Sequence, residues 1–260
     1  MQKREADIMT DNQRVALVTG GSRGIGRAIC IALARDGVSV GVNFHRHESE
    51  ALKVVGAIQA VGGSAIAVGG DVARCADVTS MVERTTAELG PITILLNNAG
   101  ITDTHKPWTE ISEEEWDRVL DVNLKSCFLL FRAVYPAMKE ARWGRVINIS
   151  SVTFHLGRPN LLHYVSSKAG MIGFTRTLAR EVGVDGITVN AITPGAIQTV
   201  SELELFPDQV GIAAYLNDVQ SVKRRGLPAD IAEAVRYLAS DGSSFVTGQT
   251  INVDGGWAMH

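Results

Sequence analysis

Val15-Ala16-Leu17-Val18-Thr19 runs directly into Gly20-Gly21-Ser22-Arg23-Gly24-Ile25-Gly26, and this junction decides the fold. An unbroken apolar run of this length fits a strand buried on both faces. The residues from Ile25 to Arg35 carry a helical period. Between the two, glycines let the chain turn sharply and let backbone N–H groups approach a ligand, and the start of the helix adds a partial positive charge. A buried strand, a glycine turn and a helix in that order make a cradle for a pyrophosphate.

Outward from this junction, short β-branched runs alternate with longer helical segments, the pattern of parallel strands joined by helical crossovers. Strands are expected at Val38 to Phe44, Ser64 to Val68, Ile92 to Leu96, Val146 to Ile149, Ile187 to Ile192 and Gln249 to Val253. Helices are expected from Glu48 to Val61, through Met81 and Leu89, and from Tyr164 to Val182, with one long amphipathic segment from Glu113 to Glu140. This is an α/β chain with a Rossmann-type, doubly wound parallel sheet of about seven strands, read as a single domain over residues 14–260. Residues 1–13 read as a flexible arm with no apolar signal run. The irregular stretch is Pro194 to Pro228, interrupted by Pro207 and Gly211 and carrying Leu203, Leu205, Phe206, Tyr215 and Leu216. A connection this long is usually functional, so residues 195–228 are expected to form a substrate lid; a short helical pair packed on the domain edge is the other reading, and the two are compatible.

The 260 residues are 45% hydrophobic and 20% charged, with a formal net charge of -3, which offers no electrostatic case for nucleic acid or an anionic membrane. No stretch approaches the length of a membrane span. Cys30, Cys75 and Cys127 fit neither a disulfide framework nor a zinc spacing, so a reducing cytoplasm is expected. The six histidines form no ligand-spaced cluster, and no metal is expected.

Tyr164-Val165-Ser166-Ser167-Lys168 puts a tyrosine and a lysine four apart, on one face of a helix. Ser151, thirteen residues before Tyr164, closes the preceding strand and is placed to reach the same crevice. Carbonyl reduction needs a proton donor at oxygen while hydride arrives at carbon, and an ordinary tyrosine titrates near 10, too high for easy exchange at neutral pH. A lysine cation beside it would lower that value.

These motifs together resemble the short-chain dehydrogenase/reductase family. The turn T-G-G-S-R-G-I-G is similar to that family's cofactor turn, followed in register by Asp71-Val72, Asn97-Asn98-Ala99-Gly100, the Ser151…Tyr164-x-x-x-Lys168 group and Pro194-Gly195-Ala196-Ile197-Gln198-Thr199. The resemblance covers about Arg14 to Trp257. It implies an NAD(P)-dependent oxidoreductase acting on a ketone or secondary alcohol. The implied cofactor contacts are Gly20, Ser22, Arg23, Gly24, Ile25 and Gly26 in the turn, Asp71 and Val72 at the adenine, and Asn98, Ala99 and Gly100. Pro194, Gly195, Ile197 and Thr199 are implied at the nicotinamide amide. Tyr164 is implied as general acid/base, Lys168 as its pKa-lowering partner and ribose contact, Ser151 as the hydrogen bond to substrate oxygen, and Asn123 as a holder of relay water.

Relatives that prefer NAD carry a carboxylate at the end of the second strand. Here the stretch is Asn43-Phe44-His45-Arg46, with no acid before Glu48, and Arg23, Arg46 and His45 could meet a 2′-phosphate. NADP is therefore favoured over NAD. The overall likeness is to 3-oxoacyl-[acyl-carrier-protein] reductases, which makes an acyl thioester a candidate substrate. Asp185 stands where those reductases often carry a basic residue that docks an acidic carrier, and a carboxylate there is expected to repel such a partner; Arg142 and Arg145 could still contribute. The segments T-F-H-L-G-R-P-N and F-V-T-G-Q-T-I-N-V-D-G-G-W-A-M-H resemble dehydrogenases of cyclic or aromatic alcohols. His155 and His163 lie near the expected site as candidate substrate contacts, although lone histidines are more often ordinary polar residues. The resemblance also implies a homotetramer. A nucleotide-binding sensor without catalysis is the non-enzyme alternative.

Overall fold

Along β1 (Val15–Val18) every side chain is buried, Val15 and Leu17 on one face of the sheet and Ala16 and Val18 on the other. Alternation of this kind in an all-apolar strand requires cover on both faces. The computed structural model describes residues 14–102, 105–205 and 208–259. The arm expected over residues 1–13 therefore lies outside the described residues, as do Phe206 and Pro207 of the expected lid.

The further strands are β2 (Ser39–Phe44), β3 (Ala65–Gly69), β4 (Ile92–Asn97), β5 (Gly144–Ile149), β6 (Ile187–Pro194) and β7 (Thr250–Val253). They form a 7-stranded sheet in the order β3-β2-β1-β4-β5-β6-β7, with every pairing parallel. The helices between β1 and β5 are α1 (Gly24–Arg35), α2 (Glu48–Gln59), α3 (Cys75–Leu89), α4 (Glu113–Leu120) and α5 (Ser126–Ala141). After β5 come α6 (Thr153–Leu156), α7 (Leu162–Val182), α8 (Val200–Leu205), α9 (Gln209–Val219) and α10 (Pro228–Ala239).

Two cores result. Ile29 and Leu33 of α1, Val54 and Ile58 of α2, and Val235 and Leu238 of α10 pack on the Ala16/Val18 face. Met81 of α3, Leu130 and Val134 of α5, and Val182 of α7 pack on the Val15/Leu17 face. Each such leucine or isoleucine, taken from water, contributes roughly 1.5–3 kcal/mol against the entropy of ordering it. The chain runs outward from β1 through β2 to β3 and then returns to place β4 on the other side of β1. The strand order thus reverses between β1 and β4, and a crevice opens at their carboxyl ends.

One expectation changes in detail. The amphipathic segment from Glu113 to Glu140 is not one continuous α-helix: a π turn over Asp121–Lys125 separates α4 from α5. The cause sits at Asn123, whose side chain is fully buried and hydrogen-bonded to the main chain of Ile101 in both directions, 2.9 Å each way. One inserted residue turns that amide inward, at the cost of locally poorer helical bonding. The stretch after β6 is also more ordered than a loop. Ile197 bridges to Gly226, and Gln198 N–H donates to the Gly226 carbonyl at 2.8 Å, so α8 and α9 form an excursion pinned at its base. Among the described residues no helix is long and apolar enough to cross a membrane.

Candidate active site

The glycine turn sits in the crevice between β1 and β4, and its shape is imposed by three polar side chains. Thr19 Oγ1 donates to the Leu96 carbonyl at 2.9 Å and accepts from the N–H groups of Asn98 and Ala99 at 2.9 and 3.0 Å. Asn98 Nδ2 donates to the carbonyl of Thr19 at 2.8 Å. Asn43, 2% exposed, accepts from Gly20 N–H at 3.1 Å and donates to the carbonyls of Val68 and Gly70. The turn is therefore sewn to β2, β3 and β4 before any ligand arrives. A Cβ on Gly26 would lie 2.2 Å from the Gly20 carbonyl oxygen, so helix and turn approach as closely as only glycine allows. Gly20 and Gly24 both have positive φ, 60° and 55°.

Arg23, the N-cap of α1, makes no side-chain capping bond, which leaves the first N–H groups of a twelve-residue helix for an anion. This end opens on a cleft of about 920 Å³, within the range of cofactor sites. Every turn residue expected at the cofactor borders it: Gly20, Ser22, Arg23, Gly24, Ile25 and Gly26. Asp71 and Val72 border it too, as do Asn98, Ala99, Gly100 and Thr199. Arg23, Arg46 and His45 are exposed along this cleft, and His47 and Arg74 join them. No carboxylate from the end of β2 opposes that group. Asp71 also accepts from Ala73 N–H at 3.0 Å, so it shapes its own turn as well as the cleft. The clamp residues Thr19 and Asn43 escaped the sequence reading, because a buried threonine and asparagine at strand ends carry no pattern of their own.

A second cleft of about 420 Å³ meets the first at Ile25, Asn98, Gly100 and Thr199. Ser151, Tyr164 and Lys168 border it, with Pro194, Gly195 and Ile197. Ser150 and Ser151 both border this cleft, but Ser150 Oγ is committed to the Lys168 carbonyl at 2.9 Å. Ser151 Oγ accepts from Thr153 N–H at 3.3 Å and Thr153 Oγ1 at 2.9 Å. With two donors directed at its oxygen, its own hydrogen is left for another acceptor.

Lys168 is 4% exposed, and its ammonium donates to the Ile149 carbonyl at 2.8 Å. Burial pushes its pKa down to about 8, with only a weak opposing influence from Cys127. Burial also pushes the Tyr164 phenol above the ordinary tyrosine range, and the Ser151 hydroxyl beside it pulls the other way. The expected lowering of Tyr164 by Lys168 is thus not what the protein groups alone produce. Lys168 Nζ stands 5.8 Å from the Tyr164 ring centroid and is turned to a carbonyl, so desolvation outweighs its charge.

Asn123 borders neither cleft. It lies beneath them, joining Ile101 to Ser167 Oγ at 3.0 Å, and Ser167 in turn donates to the Tyr164 carbonyl at 2.7 Å. Gly100, beside it, leaves no spare room: a Cβ there would meet Asn123 Oδ1 at 3.3 Å and Lys168 Nζ at 3.4 Å.

For His155 and His163 the structure favours the ordinary reading over substrate contact. His163 is wholly buried with neither ring nitrogen hydrogen-bonded to a described residue, and His155 lies ring to ring with Phe154, at 3.7 Å between centroids. Among the described residues neither borders the substrate cleft, whereas His105 does. Nothing in the sequence marks His105, a lone loop histidine. Asp185 is likewise not a surface repeller. It is 6% exposed, accepts from Tyr135 OH at 2.7 Å and pairs with Arg142 at 3.3 Å, so its charge is answered internally. Arg145 is 2% exposed and bonded to the Ser240 carbonyl, which removes it from any docking surface. Among the described residues no group of three or more His, Cys, Asp or Glu side chains is arranged to hold a metal.

Residues 20–258 match the family model described as Enoyl-(Acyl carrier protein) reductase. Nodulation protein G of Azospirillum brasilense is 42% identical over 245 residues, covering 94% of this chain and 98% of its own. A 3-oxoacyl-[acyl-carrier-protein] reductase of Synechocystis sp. is 42% identical over 248 residues, covering 95% and 97%. The crystal structure of a blue fluorescent protein from a metagenomic library, in complex with NADPH, superposes with a TM-score of 0.87 at 36% identity, covering 95% of this chain and 99% of that one. On its motifs, its strand order and these likenesses, the chain belongs to the short-chain dehydrogenase/reductase family of NAD(P)-dependent oxidoreductases.

Proposed function

We propose that the protein uses NADPH to reduce the ketone of a 3-oxoacyl thioester to a secondary alcohol, with NAD as the less favoured cofactor. The observation that carries this is the meeting of two clefts, one bordered by the glycine turn and one by Ser151, Tyr164 and Lys168, at Gly100 and Thr199. When bound along the first cleft, the nicotinamide cofactor would supply the hydride for the carbonyl carbon. Tyr164 donates the proton to the carbonyl oxygen, and Ser151 uses its spare hydrogen to hold that oxygen in place. Lys168, charged at neutral pH, raises the local positive potential as negative charge develops on oxygen. The Asn123 side chain is committed to Ile101 and Ser167, so in this reading a relay water would be held by its main-chain carbonyl, which otherwise accepts from Cys127 Sγ at 3.6 Å. Arg23, Arg46 and His45 would take the 2′-phosphate.

In this reading residues 14–260 are one domain, and α8 and α9 are the lid over the substrate. The assembly is a homotetramer in the cytoplasm, with neither nucleic acid nor membrane as partner. The name of the Synechocystis relative supports the thioester class. A second reading, a dehydrogenase of cyclic or aromatic alcohols, is favoured by the edge-to-face pair of Tyr215 and Trp257 on the cleft wall, 5.9 Å between centroids. The deciding measurement is the initial rate of NADPH loss with acetoacetyl-CoA, beside NADH under the same conditions. NADPH-specific turnover supports the reductase. Its absence, with cyclohexanol oxidation by NADP instead, moves the assignment to the cyclic alcohols.

A further inference from the structure

The substrate cleft has a positively charged lip as well as a catalytic floor, and nothing in the chemistry above uses the lip. Arg158 stands in the loop between α6 and α7, a loop shaped by left-handed residues at Gly157 (φ 57°) and Asn160 (φ 64°) and anchored by Leu161, 3% exposed. The segment carrying His105 is fastened to the same loop by a main-chain bond from Lys106 N–H to the Asn160 carbonyl, 3.1 Å. Both Arg158 and His105 border the cleft. The arginine is close enough for its charge to act on the imidazole, which burial and Arg158 together hold below the ordinary histidine range.

Charge balance in the cleft points one way. Among the described lining residues Glu202 is the single carboxylate, and it is 2.8 Å from Arg225, a cation outside the lining. Among the described lining residues, Arg158 therefore borders the cleft with no carboxylate left to answer it. The same cleft is also lined by the apolar side chains of Ile212, Tyr215, Leu216 and Trp257. A guanidinium presents a planar fork that suits carboxylate and phosphate oxygens. We propose that Arg158, seconded by His105, is a specificity determinant that holds an oxyanion carried by the substrate at a distance from its reacting carbonyl. The proposal rests on the ketone-reductase reading and deepens it: the substrate is an acidic ketone, either a phosphate-bearing thioester or a shorter keto acid.

Matched pairs of ketones separate these sources. Acetoacetyl-CoA is compared with its uncharged analogue acetoacetyl-N-acetylcysteamine, and levulinate with methyl levulinate, all with NADPH. Arg158→Gln is expected to lower kcat/KM about 10- to 100-fold through KM for one anionic member, to leave both neutral members within about twofold, and to be partly rescued by Arg158→Lys. Loss in the CoA pair identifies a phosphate, and loss in the levulinate pair identifies a carboxylate. Equal loss on charged and neutral members, or no loss on either anion, overturns the proposal. Calorimetry on the NADP-saturated protein with 4′-phosphopantetheine and with levulinate gives a readout free of turnover. Arg158-dependent binding of either probe without reduction of any ketone would keep the anion site and reject the ketone-reductase reading. No binding of either probe to the unmodified protein would reject the anion site.

Discussion

The glycine turn after β1 and the α8–α9 excursion border the same pair of clefts, but they are held in very different ways. The turn is fixed by buried polar clamps from three strands, with Thr19, Asn43 and Asn98 each making two or more hydrogen bonds to it or across it. The excursion is held chiefly at its base, by the Ile197–Gly226 bridge, and by Arg225, which reaches Gln209 at 2.9 Å and Glu202 at 2.8 Å. That second contact is close but poorly aligned, since Arg225 Nη2 and Glu202 Oε2 lack hydrogen-bond partners among the described residues. Val200, Leu203, Val210 and Tyr215 of the excursion are exposed apolar side chains. Few buried contacts and many exposed ones mark a segment of low local stability, suited to opening. On the proposed function, the cofactor half is a preformed mould, while the α8–α9 half would keep the freedom to admit and release substrate.

The sharpest way to break this contrast lies where the halves meet. Tyr164→Phe removes the proton donor without disturbing the turn, so kcat should fall about 1,000-fold while NADPH binding, followed by its fluorescence, stays within about twofold. Unchanged turnover would reject the proton-donor assignment. Gly26→Val attacks the mould itself. Its side chain would press on the Gly20 carbonyl, and NADPH affinity should drop roughly 100-fold with a destabilisation of about 2–4 kcal/mol in urea melts.

Acid–base behaviour separates the floor of the cleft from both walls. Lys168 titrates at about 8 in the folded protein against 10.5 for an ordinary lysine, so the unfolded chain holds more protons between those values. Folding stability should accordingly rise as pH increases from 8 to 10, by about 2 kcal/mol, and the deficit should be fully present below pH 8. Lys168→Met should remove that slope; a persisting slope would place its origin elsewhere. Arg46→Ala tests the adenine end, and the preference for NADPH over NADH should shrink about tenfold with little change in the NADH Kd. The smallest effect is expected on the loose side. Tyr215→Ala should change substrate KM about three- to fivefold and leave cofactor binding and Tm close to unchanged, as measured by initial rates and calorimetry. A large fall in Tm would show the excursion to be as firmly built as the turn.

Much of the mould was legible because its requirements are local. A glycine turn between an apolar strand and a helix, a tyrosine four residues before a lysine, and a serine at a strand end are each readable without neighbours. The helical period from Glu113 to Glu140 was legible too, but not its break at Asn123, which depends on the main chain of Ile101 far along the chain. Asp185 was misread for the same reason: its hydroxyl and guanidinium partners, Tyr135 and Arg142, arrive from another part of the chain. His105 and Arg158 share a cleft lip only because two loops are joined by one main-chain bond.

By itself, then, the sequence determined the layered parallel fold and the place of the glycine turn, and through its family likeness it nominated the Ser151-Tyr164-Lys168 group. Periodicity and glycine placement act over a few residues and survive in the linear text. Only the tertiary structure decided which polar groups are spent on holding the turn, that burial rather than the lysine charge dominates Tyr164, and that Arg158 borders the second cleft with no free carboxylate among its described lining residues. Desolvation and charge pairing depend on neighbours brought together through space, and these are set only when the strands and loops assemble.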